Sequence, residues 1–186
     1  MPTIAGREES CALMKRCYLE RTPGFLLQIL TPLGFPNWPA GMNAGIRDAT
    51  GDYIASAADD LEPLEGWADA MVSCLERNEI PAPQLWDHVH EGAPVNAVDG
   101  PPGALTEFSR VPALTRAMAE RIGPWPEIDY FADNWVSDAA RTFGVETRVT
   151  AGFSFVHHWH PVGRLDAGDW VSRSLPAYQA ARAALG

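Results

Sequence analysis

The stretch Asn43-Ala44-Gly45-Ile46-Arg47-Asp48-Ala49-Thr50-Gly51-Asp52-Tyr53-Ile54-Ala55-Ser56-Ala57-Ala58-Asp59-Asp60-Leu61-Glu62-Pro63 decides how this chain is read. Gly41 to Ala49 can form a short helix that ends near Gly51. Asp52 to Ala57 then reads as a strand that runs into two adjacent carboxylates, Asp59 and Asp60. Neighbouring carboxylates repel each other unless a cation neutralises them. Hard divalent cations prefer oxygen ligands, and a diphosphate supplies more of them. Taken in isolation, an Asp-Asp pair reads first as a solvated acidic turn that caps the next helix.

Working outward, Thr3 to Gly6 is a short apolar first strand, followed by a helix opening at Arg7-Glu8-Glu9. Phe25 to Leu30 is a continuous apolar run, as in a strand buried on both faces. Thr31 to Pro39, with three prolines, is a loop. Helices are expected from about Glu65 to Arg77, Val111 to Ile122, Phe131 to Phe143 and Ser174 to Leu185. Strands are expected at Pro83 to Val89 and Thr147 to Val156, with Glu91 to Gly103 an exposed loop. Strands alternating with helices predict an α/β fold with a mainly parallel central sheet flanked by helices. Ligands of such sheets sit at the carboxyl ends of the strands, where Asp59-Asp60 falls.

Composition narrows the function. The chain has 186 residues, 46% hydrophobic and 20% charged, which suits a single globular domain with its own core. A net charge of -10 makes it a poor default binder of nucleic acid, and suits a site that gathers carboxylates around a cation. Cys11, Cys17 and Cys74 are odd in number and form no Cys-x-x-Cys pair, so they read as reduced, buried thiols. No apolar run approaches the roughly 18 residues of a membrane span. With no apolar leader either, the reading is a soluble, cytoplasmic protein (in the host cytoplasm if phage-encoded). His157-His158-Trp159-His160 places three of the five histidines together. At a strand end His158 and His160 share a face. No Cys or third carboxylate lies nearby to complete a zinc site.

The segment from Asn43 to Asp60, with Pro63 and Trp67 behind it, closely resembles the central signature of family 2-like glycosyltransferases of the small stand-alone phage or bacterial type. That signature runs Asn-x-Gly, Ala-x-Gly-x-Tyr-Ile, an Asp-x-Asp-type motif, then Pro and a Trp-led helix. The resemblance covers residues 2 to 75 closely and 105 to 166 more loosely. It implies the GT-A, or nucleotide-diphospho-sugar transferase, fold in one domain over 1–186, with a donor-binding part at about 1–90 and an acceptor and catalytic part at about 104–170.

The resemblance also implies roles. Asp60 would ligate Mn²⁺ or Mg²⁺, which binds the donor diphosphate, while Asp59 contacts the donor sugar or ribose. Asp133, in Tyr130-Phe131-Ala132-Asp133-Asn134-Trp135, matches the family's second acidic motif, whose acid is the general base of inverting relatives. A helix N-cap is the bland alternative for Asp133. A late His would complete the metal shell, with His158 first, His160 second and His157 third. Arg7 and Glu8 follow the first strand, where the donor nucleotide is cradled; a helix N-terminus favoured by acidic residues is their bland alternative.

Two features depart from the pattern: Ala58 stands where an acid is frequent, and Leu30-Thr31-Pro32-Leu33-Gly34 lacks the acid that holds the nucleobase. The implied activity is transfer of a sugar from a nucleoside-diphosphate sugar to an acceptor hydroxyl, the acceptor being a glycan, a small molecule or a modified DNA base. A DNA acceptor predicts a basic rim from Arg110, Arg116 and Arg121. A non-catalytic sugar-nucleotide-binding module and a His-rich metal hydrolase are the readings from other classes.

Overall fold

The computed structural model describes residues 7–30, 34–89, 93–96, 100–128, 130–158 and 167–186. The expected strand at Thr3 to Gly6 and the residues Asp129, Trp159, His160 and Asp166 lie outside them. The first helix, α1, spans Glu8–Glu20 and buries Cys11, Met14, Cys17 and Tyr18, which recur at three- and four-residue spacing. α2 spans Trp38–Asp48, three residues earlier than the sequence suggested. The Asn37 side chain accepts the Ala40 N–H as an N-cap, and Pro39 fits the first turn. β1 (Tyr53–Ala55) and β2 (Leu61–Pro63) bracket the acid pair. α3 (Trp67–Leu75) follows Gly66, whose φ of 79° suits a glycine.

The remaining elements are β3 (Glu79–Val89), β4 (Ala93–Asn96), β5 (Ala113–Thr115), α4 (Arg116–Ile122), α5 (Ala132–Arg141), β6 (Glu146–His157) and α6 (Ala167–Ala183). β1 pairs with β5, and a four-stranded sheet has the order β2-β6-β3-β4. Parallel pairing among the described strands is confined to β3 and β6; the other three pairs are antiparallel. The mixed α/β class therefore holds, while the mainly parallel sheet is only partly present. No described helix is long and apolar enough to cross a membrane.

Three local expectations are corrected. Phe25 to Leu30 forms no strand; Leu27 and Ile29 pack on the core while Leu26 is fully exposed. A period-two backbone buries alternate side chains even where the sequence is apolar throughout. Val111 to Ile122 is not one helix: Ala113–Thr115 pairs with β1, and Thr115 then caps α4 by accepting the Met118 N–H. Part of the expected loop from Glu91 to Gly103 is β4, held antiparallel to β3.

The core gathers where α1 and α3 meet β6. Trp67 packs edge-on against Tyr18 at 5.3 Å between ring centroids, and Phe153 and Phe155 meet edge-on at 5.0 Å. Both phenylalanines are fully buried. The register of β3 against β6 jumps between Ala82 and Gln84, from Val149 to Ser154 on the partner, so β6 bulges there. Gly152 sits in the bulge at φ 82°, and a Cβ on it would lie 3.3 Å from the Ala70 methyl.

Candidate functional site

Asp59 and Asp60 occupy the turn between β1 and β2, which the Leu61 N–H closes onto the Ala58 carbonyl. The register of β2 on β6 sets Leu61 opposite His157, and the His158 N–H donates to the Asp60 carbonyl at 2.7 Å. α1 delivers Arg7 from the other side, at its N-cap. Arg7 Nη1 lies 3.1 Å from Asp59 Oδ1, and Nη2 lies 2.9 Å from Asp60 Oδ2. Ser10 Oγ, one turn on, donates to the Asp59 carbonyl. The Asp59 side chain is 5% exposed and that of Asp60 19%, so the pair is held largely out of water by one guanidinium.

Asp60 Oδ2 also faces His157 Nε2 at 3.8 Å. Burial pushes the Asp60 carboxyl up, but its interactions with His157 and Arg7 outweigh this and hold it below the usual carboxylate range. Tyr18 lies beneath. Burial first, and then the charge of Asp60, push its phenol far up, and its Oη has no hydrogen-bond partner among the described residues.

A second cluster adjoins the first. His158 Nε2 lies 2.6 Å from Glu62 Oε2, and Arg21 holds the other Glu62 oxygen while donating to the Pro63 carbonyl. Burial raises the Glu62 carboxyl; the hydrogen bonds from His158 and Arg21 outweigh it and leave it lowered. Neither Arg21 nor Tyr18 was marked by the sequence.

The structure thus brings Arg7, Asp59, Asp60 and His157 together, with Glu62 and His158 beside them. His157 faces Asp60, His158 faces Glu62, and His160 lies outside the described residues. Glu8 is exposed at the start of α1. Asp133 lies on α5. It is half-buried in the first turn of α5, where its carboxylate accepts the Asn134 N–H and its carbonyl the Ser137 hydroxyl.

Asp138, midway along α5, is buried where α6 packs against that helix. It accepts a hydrogen bond from Tyr178 Oη at 2.6 Å and pairs with Arg141 and Arg182. Arg116 is spent on the Ala49 and Gly51 carbonyls, and Arg121 lies over the Phe143 ring, so these two are engaged within the fold.

Whether a divalent cation fits can be judged from the donors. A carboxylate oxygen and an imidazole nitrogen 3.8 Å apart can share one ion between them. Among the described residues no group of three or more His, Cys, Asp or Glu is placed to hold a metal ion. One carboxylate and one imidazole suit a borderline ion such as Mn²⁺ better than Mg²⁺, the rest of the shell being left to phosphate oxygens and water. A cavity of about 510 Å³ adjoins Tyr18 and Ala57 and is otherwise lined largely by apolar residues such as Leu27, Ile29, Met42 and Met71.

No protein-family model and no curated protein matches the sequence. Solved structures do match in fold. One is the mannosyltransferase PcManGT from Pyrobaculum calidifontis in complex with GDP-Man and Mn²⁺. The TM-score is 0.58 at 15% identity, over 89% of this chain and 49% of that one. The chain spans about half the length of that protein. What the two share is the fold, and this chain therefore has a glycosyltransferase-like α/β architecture.

Proposed function

We propose that this chain is a divalent-cation-dependent glycosyltransferase that moves a sugar from a nucleoside-diphosphate sugar to an acceptor hydroxyl with inversion. The observation that carries this reading is Asp60 in the turn that leads into β2, its carboxylate set between the Arg7 guanidinium and the His157 imidazole. The fold shared with a mannosyltransferase bound to GDP-Man and Mn²⁺ supports it, as does the signature from Asn43 to Trp67.

In this reading Asp60 and His157 hold the cation, and Glu62 and His158 brace the strand ends that carry them. Mn²⁺ or Mg²⁺, when bound, supplies positive charge to the departing nucleoside diphosphate. Asp59 contacts the donor sugar or ribose, and Arg7 and Glu8 border the diphosphate. Asp133 takes the proton of the acceptor hydroxyl as its oxygen attacks the anomeric carbon. The bond from that carbon to the diphosphate oxygen breaks, and the electron pair leaves with the nucleoside diphosphate. Donor-binding and acceptor parts at about 1–90 and 104–170 fit this division.

A thermal-shift panel of nucleoside diphosphates and their sugars, with and without Mn²⁺, tests the proposal. At least one nucleotide should raise the melting temperature only when Mn²⁺ is present, and Asp60→Ala should abolish that shift. An unchanged shift in Asp60→Ala contradicts the assigned ligand. Donor hydrolysis that disappears in Asp133→Asn favours an enzyme over a sugar-nucleotide-binding module. Stabilisation by Zn²⁺ without nucleotide would favour a metal hydrolase instead.

A further inference from the structure

We infer that Arg7 is a built-in counter-cation of the acid pair, which a divalent metal must displace from Asp60, so that metal and diphosphate bind cooperatively. The inference rests on the metal site proposed above. Its starting point is a charge problem. Two adjacent carboxylates are held at side-chain exposures of 5% and 19%, where an uncompensated pair would resist folding. Compensation must exist before any metal arrives, and Arg7 supplies it from within the chain.

The manner of pairing matters. A guanidinium binds most strongly when two parallel N–H groups fork onto one carboxylate. Arg7 instead straddles two, giving Nη1 to Asp59 and Nη2 to Asp60. Its Nε–H is buried and has no partner among the described residues, in a side chain that is only 7% exposed. A guanidinium has five donors, and this one holds at least one unspent in a place where water does not reach it. It is well placed for charge and poorly satisfied in hydrogen bonds. An anion with several acceptor oxygens would let it spend what it now withholds, and a diphosphate is such an anion.

Asp60 Oδ2 is the contested atom. Arg7 Nη2 holds it at 2.9 Å, and the same oxygen faces His157 at 3.8 Å. A dication between Asp60 and His157 would sit close to the guanidinium, and the like charges would repel across a partly dry site. Metal alone therefore has to pull Asp60 away from Arg7 and leave that cation undercompensated. Metal arriving with a nucleoside diphosphate meets no such penalty, since the diphosphate takes over Arg7. Each ligand then strengthens the other by the same factor.

The test is Mn²⁺ binding to the full chain, read from free Mn²⁺ by electron paramagnetic resonance, with and without a nucleoside diphosphate. The wild type should bind Mn²⁺ weakly alone and on the order of tenfold more tightly with nucleotide. Arg7→Gln should bind Mn²⁺ alone more tightly than the wild type does, and lose most of the nucleotide effect. Its melting temperature should be lower than that of the wild type without metal and recover more on adding Mn²⁺.

Should Arg7→Gln fold poorly, Arg7→Lys serves as the second variant. It keeps the charge on a single point donor, loosens the hold on one carboxylate, and should bind Mn²⁺ alone with intermediate affinity. Equal or weaker Mn²⁺ binding in both variants, with the wild type still binding Mn²⁺ and nucleotide together, overturns the role of Arg7 and leaves the proposed function standing. Absence of Mn²⁺ binding in all three proteins, with nucleotide present, overturns both.

Discussion

Two histidines adjacent in sequence have different neighbours, and the difference can be measured one residue at a time. His157 faces Asp60, while His158 is bound to Glu62. We expect His157→Ala to lose the Mn²⁺-dependent thermal shift. His158→Ala should keep it with affinity reduced by about tenfold, the usual cost of removing a group that orients a ligand. A titration of Mn²⁺ against both variants checks this, and equal loss in the two would refute the distinction. The acids set a pH dependence as well. Asp60 and Glu62 both titrate below the usual range, because Arg7 and His157, and His158 and Arg21, outweigh the effect of burial. The contribution of these pairs is therefore complete above the unfolded-state value, near about pH 4. It is lost as pH falls from there through the lowered folded-state values. Acid unfolding should accordingly begin at higher pH in Arg7→Gln than in the wild type, as followed by circular dichroism.

At the scale of elements, α6 is fastened to α5 through one buried acid. Asp138 accepts Tyr178 Oη and pairs with Arg141 and Arg182, and its hydrogen bond helps push the Tyr178 phenol, already raised by burial, to about 12. Asp138→Ala leaves these donors without their acceptor. A loss of about 1–3 kcal/mol is expected, or a fall of roughly 2–4 °C in melting temperature for each kcal/mol. The bulge in β6 is equally specific. Gly152→Ala places a Cβ at positive φ and 3.3 Å from Ala70, on the helix that packs over this strand. A cost of about 1–2 kcal/mol follows from the backbone alone. Denaturant midpoints of the two variants measure both effects.

At the scale of the whole molecule, the net charge of -10 and the internal use of Arg116 and Arg121 leave little to draw a polyanion. We expect no retention on immobilised duplex DNA at about 0.15 M salt. Tight retention that weakens with added salt would instead favour a DNA acceptor. The core is concentrated at Trp67, Phe153 and Phe155, where α1, α3 and the sheet converge. Phe155→Ala should cost about 3–5 kcal/mol, a large share of the stability of a domain this size.

Much of the secondary structure and one half of the site were legible in the sequence, because they depend on near neighbours. The buried stripe of α1 follows from side chains three and four apart, and the short strand β1 from the apolar segment ahead of Asp59-Asp60, although it stops at Ala55 and leaves the pair in the turn before β2. Buried free thiols at Cys11, Cys17 and Cys74 were legible in the same way. Long-range pairings were not. Arg7 meets Asp60 across 53 residues and His158 meets Glu62 across 96. Which histidine faces which acid depends on the register of β2 against β6. A slip of one residue would turn each side chain to the opposite face and exchange their partners. The local sequence thus determined that an acid pair follows the apolar segment of β1. Only the packing of α1 and β6 around it decided that a buried arginine neutralises it and that His157 stands opposite, because registry and burial belong to contacts between distant parts of the chain.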